Sequence, residues 1–168
     1  MHYKWSFVTR KPAFYLDISR GDRSAFCRFG ARRLSFAVGN IDHVGIRVRD
    51  RDVARRFYEK LGFVFDPDED SPASSSIGLV NAAGGRINLI YNGVEQPRGN
   101  ILMDVPDKWP GYTHAAFIVN DLDQWVAWFI AEGIPITEGP VVFGHGRRKV
   151  CFIRDPDGNV IEFDEILS

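Results

Sequence analysis

His43-Val-Gly-Ile-Arg-Val-Arg-Asp-Arg-Asp (residues 43–52) and His114-Ala-Ala-Phe-Ile-Val-Asn-Asp-Leu-Asp (residues 114–123) are two copies of one pattern, 71 residues apart. His43 matches His114, Val48 matches Val119, Asp50 matches Asp121 and Asp52 matches Asp123 without a gap. A glycine follows each histidine by 19 residues, Gly62 in the first copy and Gly133 in the second. Self-similarity on this scale marks a fold assembled from like units. Within each copy apolar residues alternate, the signal of a half-buried strand. Val44, Ile46 and Val48 take one face, with His43, Gly45 and Arg47 on the other. In the second copy Ala115, Phe117 and Val119 point inward, and His114 and Ala116 lie opposite.

The pattern then changes period. Asp50 or Asp52, and Asp121 or Asp123, suit the N-cap of a helix, where a short side chain accepts from free backbone N–H groups. Val53, Phe57 and Leu61 form the expected apolar stripe of the first helix, and Trp125, Trp128 and Phe129 that of the second. Gly62 and Gly133 fall where a left-handed C-cap belongs. Short strands are expected at Phe63–Phe65 and Ile134–Thr137, with 66–76 a polar connecting loop. Hairpins follow. Residues 76–81 and 86–91 flank Ala82-Ala-Gly-Gly85, and 149–154 and 159–164 flank Asp155-Pro-Asp-Gly158. The latter tetrapeptide has Pro at a fixed φ and Gly at a left-handed position, a strong turn signal. Each unit therefore reads βαβββ, module one over 41–104 and module two over 111–168, with Pro106–Pro110 between them. The expected fold class is α/β (α+β), two modules forming curved mixed sheets. At about 60 residues each, neither buries a core alone, so they should pair.

Composition agrees with one globular domain. The chain has 168 residues, 45% hydrophobic, 13% aromatic and 26% charged. No run of 18 apolar residues occurs, so no membrane span is expected. The two cysteines, Cys27 and Cys151, form no disulfide framework and fit a reducing, cytoplasmic setting. The net charge of −1 is unevenly split: residues 1–38 hold eight Lys/Arg against two Asp/Glu, and the remainder holds 13 against 20. The acidic body argues against nucleic acid as a partner. Residues 1–40 read as a basic N-terminal extension without an apolar signal core, and no chemistry is assigned to it.

The first strand of each module carries a histidine on the face away from its helix. In Val160-Ile-Glu-Phe163, Ile161 and Phe163 point inward and Glu162 shares the histidines' face. A lone strand histidine is more often an ordinary hydrogen-bonded residue than a ligand. Two at equivalent repeat positions, with a carboxylate on the same surface, point instead to a metal triad. Imidazole and carboxylate suit Ni, Zn, Co, Mn or Fe(II), and three protein ligands leave positions open for substrate. Arg47 shares the face of His43 and is a candidate for the substrate pocket, as are Tyr91, His145 and Arg147.

Ile41-Asp-His-Val-Gly-Ile-Arg-Val48, Phe57-Tyr-Glu-Lys-Leu-Gly-Phe63, Gly111-Tyr-Thr-His-Ala-Ala-Phe117 and Arg154-Asp-Pro-Asp-Gly-Asn-Val-Ile-Glu-Phe163 together resemble the vicinal-oxygen-chelate superfamily. That group holds glyoxalase I, extradiol dioxygenases and bleomycin-resistance proteins. The resemblance implies one divalent metal ion per site, held by His43, His114 and Glu162, with Glu162 also the catalytic base. Its fourth ligand position falls within Ile87-Asn-Leu-Ile-Tyr91. Matching Ile-Asn-Leu to Ile-Glu-Phe selects Asn88, and a register shifted by one residue selects Leu89. It also implies a homodimer in which His43 of one subunit meets His114 and Glu162 of the other. The activity implied is glyoxalase I-like, of the lyase or isomerase type, on a small-molecule substrate chelating through two oxygens. The alternatives are an Fe(II) extradiol-type dioxygenase and a non-catalytic, bleomycin-resistance-type drug-binding protein.

Overall fold

Asp50 and Asp121 start the two helices. The Asp50 carboxylate accepts from the N–H groups of Asp52 (2.9 Å) and Val53 (2.8 Å) and begins α1, Arg51–Lys60. Asp121 accepts from Gln124 N–H at 3.0 Å and begins α2, Leu122–Ala131. Both satisfy donors that a first helical turn leaves unpaired. Gly62 and Gly133, at φ of +90° and +67°, turn the chain out of each helix in the left-handed conformation. The computed structural model describes residues 39–95 and 97–167, so the extension expected over 1–40 lies outside the described residues but for its last two.

The strands of module one are β1 (Val44–Arg47), β2 (Phe63–Ser71), β3 (Ser76–Asn81) and β4 (Arg86–Ile90). Those of module two are β5 (Ala115–Val119), β6 (Ile136–Phe143), β7 (Arg148–Arg154) and β8 (Val160–Ile166). The two sheets have the same order, β1-β4-β3-β2 and β5-β8-β7-β6, with the first pair parallel and the others antiparallel. The architecture is thus α+β, two βαβββ modules with mixed four-stranded sheets.

Three expectations are corrected. The stretch 66–76 is no simple loop: β2 runs on to Ser71 and a single 3-10 turn, Pro72–Ser74, follows. Serine and aspartate side chains satisfy turns locally, which hides an edge strand from a hydrophobicity pattern. Strand β6 is displaced to Ile136–Phe143, extending through Gly139 and Pro140 at the sheet edge, where proline costs no ladder bond. On α1 the buried stripe is Ala54, Tyr58 and Leu61 with Phe57 partly covered, whereas Val53 is exposed.

The helix-side faces of both sheets contribute to a single core. Ile77, Leu79, Ile87 and Leu89 come from module one, and Leu122, Phe129, Cys151, Ile153, Ile161 and Phe163 from module two. Rings link the halves: Tyr58 to Phe63 at 6.2 Å, Phe63 to Phe117 at 5.3 Å, Phe117 to Phe163 at 6.4 Å. Each such fully buried side chain contributes about 1.5–3 kcal/mol by leaving water.

A buried polar joint accompanies these contacts. Asp155, in the β7–β8 turn, is only 5% exposed. Its Oδ1 accepts from Asp157 N–H (2.9 Å) and Asn159 N–H (2.8 Å). Its Oδ2 accepts from the Asn159 amide (2.8 Å) and from the Tyr58 hydroxyl of module one (3.0 Å). Burial pushes the Asp155 carboxyl up, and the hydrogen bonds pull it back. Tyr58→Phe removes the inter-module bond while keeping the ring. It should lower the unfolding free energy by about 1–2 kcal/mol, and Asp155→Ala by more, since that change orphans several buried donors. Urea denaturation monitored by tryptophan fluorescence measures both; a Tyr58→Phe midpoint equal to wild type would show that the joint adds no stability.

Candidate metal centre

Burying one face of each sheet leaves the other for chemistry. In module two the register sets Ala116, Glu162, Phe152 and Glu138 side by side across β5, β8, β7 and β6. His114, just before β5, reaches this row: its Nε2 lies 2.8 Å from Glu162 Oε2. Glu162 is nevertheless 8% exposed. The Phe152 ring meets His114 edge to face at 5.5 Å. Thr113 Oγ1 lies 3.0 Å from His114 Nδ1 and can fix the ring by accepting its N–H. In that tautomer the Nε2 lone pair faces the carboxylate, and a proton or cation belongs between the two acceptors; in the other, Nε2–H donates to Glu162 directly.

The matching row in module one is Gly45, Asn88, Gly78 and Asp66. Asn88 therefore occupies the place of Glu162, and Leu89 is fully buried in the core. Asn88 follows His43 by 45 residues and Glu162 follows His114 by 48, so the modules differ by three residues between these strands. Asn88 Oδ1 is buried and has no hydrogen-bond partner. His43, just before β1, is exposed and places Nδ1 2.8 Å from Asp42 Oδ2.

These donors suit a divalent ion. Nitrogen and oxygen ligands on adjacent positions of one ion stand about 3 Å apart, and the His114–Glu162 contact matches that. An orphaned amide oxygen is a further hard donor. Among the described residues of one chain, however, no three His, Cys, Asp or Glu side chains come together. His114 and Glu162 meet on one sheet, and His43 and Asn88 hold the equivalent positions on the other.

The pocket candidates divide. Arg47 and His114 both line a cleft of about 590 Å³ between β1, the 93–102 connection and β5. There the Arg47 guanidinium donates to Asn92 Oδ1. Tyr91 does not reach the open face, a correction to the expectation: it packs on the core side, its ring centroid 5.8 Å from the Arg51 guanidinium. Alternation explains this, since Tyr91 keeps step with Leu89. His145 and Arg147 belong to the β6–β7 turn, where His145 has a positive φ of 59° and Arg147 Nε donates to Gly144 O at 3.2 Å. Neither is brought to His114. Cys151 is buried in the core and its thiol is pushed up to about 11, so it stays protonated at neutral pH.

One open-face residue escaped the sequence reading. Asp164 is 6% exposed and accepts from Arg148 Nη1, while its Oδ1 is buried without a partner. Its signal was plain: it stands two residues beyond Glu162 on the same strand.

The comparisons with known proteins agree with this architecture. Residues 40–163 match the model of the Glyoxalase/Bleomycin resistance protein/Dioxygenase superfamily, and the chain belongs to that family. It is 29% identical over 139 residues to a virulence protein of Salmonella typhimurium, covering 80% of this chain and 89% of that one. It is 28% identical over 136 residues to lactoylglutathione lyase of Schizosaccharomyces pombe, covering 74% of this chain but only 44% of that protein. The crystal structure of a glyoxalase/dioxygenase from Nostoc punctiforme has the same fold, with a TM-score of 0.62 at 19% identity over 80% of this chain and 99% of that one. No helix among the described residues is long and apolar enough to cross a membrane.

Removing Asp164's charge should leave the His114–Glu162 pair in place but release Arg148. Asp164→Asn should therefore change stability by no more than about 1–2 kcal/mol, as read by thermal melting. A loss of folding would show that the Arg148 pair is structurally indispensable.

Proposed function

We propose that this protein is a divalent-metal-dependent enzyme of the glyoxalase I-like type, acting on a small substrate that presents two vicinal oxygens. His43, His114 and Glu162 hold the ion, with Asn88 the fourth position, and Glu162 is also the base. The observation that carries this reading is the 2.8 Å approach of His114 Nε2 to Glu162 Oε2 on an open sheet face; His43 and Asn88 hold the equivalent register positions of module one. When bound, the ion polarises the substrate oxygens and eases loss of a proton from the adjacent carbon. Glu162 accepts that proton at a carboxylate oxygen and returns it to the neighbouring carbon. Thr113 keeps His114 aligned, and Arg47 orients an anionic part of the substrate in the cleft.

The two pairs of positions come from two subunits in this reading. Ile118 and Val141 share the row next to Glu162, and Phe143 and Ile166 the one beyond it; all four are exposed. Such an apolar surface favours cover by a second copy.

Elemental mass spectrometry on protein purified without a His tag should find about one metal per chain, lost in His114→Ala and in His43→Ala. A subunit-shared centre makes a sharper prediction. Unfolding and refolding the two variants together should regenerate one intact site per mixed dimer. No recovery on mixing would place each site within one chain. Absence of metal under every reconstitution, including anaerobic Fe(II), would favour the drug-binding alternative.

A further inference from the structure

Glu69 lies where strand alternation does not put it. Between Asp66 and Ser71, strand β2 carries four residues while β3 passes only Ile77 between Gly78 and Ser76. The surplus bulges, and it leans over the open face of module one. A Cβ built on Gly78 would stand 2.5 Å from Glu69 Cβ and 3.0 Å from its Cγ. The equivalent position in module two is Phe152, whose ring sits beside His114. Gly78 thus empties in one module the space that an aromatic ring fills in the other, and Glu69 enters it.

The Glu69 carboxylate ends over β4. Its Oε1 accepts from Arg86 Nη2 at 2.9 Å. The space above Gly78 is bounded on its other side by Asn88, whose partnerless Oδ1 lies 3.5 Å from the same built Cβ. The bulge therefore brings a carboxylate, held by Arg86, over Gly78 and beside the orphaned amide oxygen of Asn88.

We propose that Glu69 is the second carboxylate of the metal centre. Strand position 88 holds an amide where a carboxylate would balance the ion's second charge, and Glu69 supplies that charge from β2. Arg86 orients it, as hydrogen-bonded partners commonly orient a ligating carboxylate. Gly78 is required because any side chain there would push the bulge away. The proposal rests on His43, His114 and Glu162 forming the centre, and its test separates the two claims.

Zn(II) and Ni(II) affinities of the full chain would be measured by competition with a chromophoric chelator, alongside apo-protein melting. Glu69→Gln should weaken binding by about 10-fold or more without changing the apo melting temperature. Gly78→Ala should weaken it similarly, and the double variant should bind no worse than Glu69→Gln alone. Wild-type affinity in Glu69→Gln, with binding lost in His114→Ala, would overturn the role of Glu69 and leave the centre standing. Weakening by Glu69→Gln with none in His114→Ala would place the ion elsewhere and overturn both claims, as would wild-type protein that binds neither ion.

Discussion

The Tyr58 hydroxyl donates to Asp155 across the boundary between two modules, inside a core that both of them build. Each module offers only one helix and one short mixed sheet, too little to close a core alone. The rings of Tyr58, Phe63, Phe117 and Phe163 close it jointly. A carboxylate sealed into that boundary is tolerable only because every nearby donor is aimed at it.

The functional surface is a consequence. A sheet that gives one face to a helix leaves the other free, and period-two alternation then decides what that face carries. In module two it carries His114, Glu162, Asp164 and Phe152. In module one it carries His43, Asn88 and Arg86, with Glu69 laid over Gly78. The copies keep the backbone and diverge in chemistry. One presents a carboxylate on its fourth strand, and the other an amide at the same place with the Glu69 carboxylate beside it.

Much of this was legible residue by residue. The repeat of His43 and His114, the caps Asp50 and Asp121, and the glycines at 62 and 133 located both modules. Those signals are local: a cap accepts from its own first turn, and a left-handed residue answers to its own φ. The open-face placement of His43, His114 and Glu162 was equally local, since alternation needs only strand neighbours. Asp164 obeys the same rule, two residues beyond Glu162 on β8. Less was visible where polar residues extend a strand, as over 66–71, or where both faces of a helix carry apolar side chains, as at Val53.

Sequence alone determined the module plan, the strand faces and the residue types available as ligands, because each follows from spacing along one segment. Tertiary structure decided that Asn88 rather than Leu89 matches Glu162, because only pairing with β1 sets the register of β4. It decided that Tyr91 joins the core, and that His114 meets Glu162 across two parallel strands nearly fifty residues apart in sequence. It alone put Glu69 above Gly78. A bulge is fixed by the mismatch between two paired strands, and neither strand records that mismatch by itself.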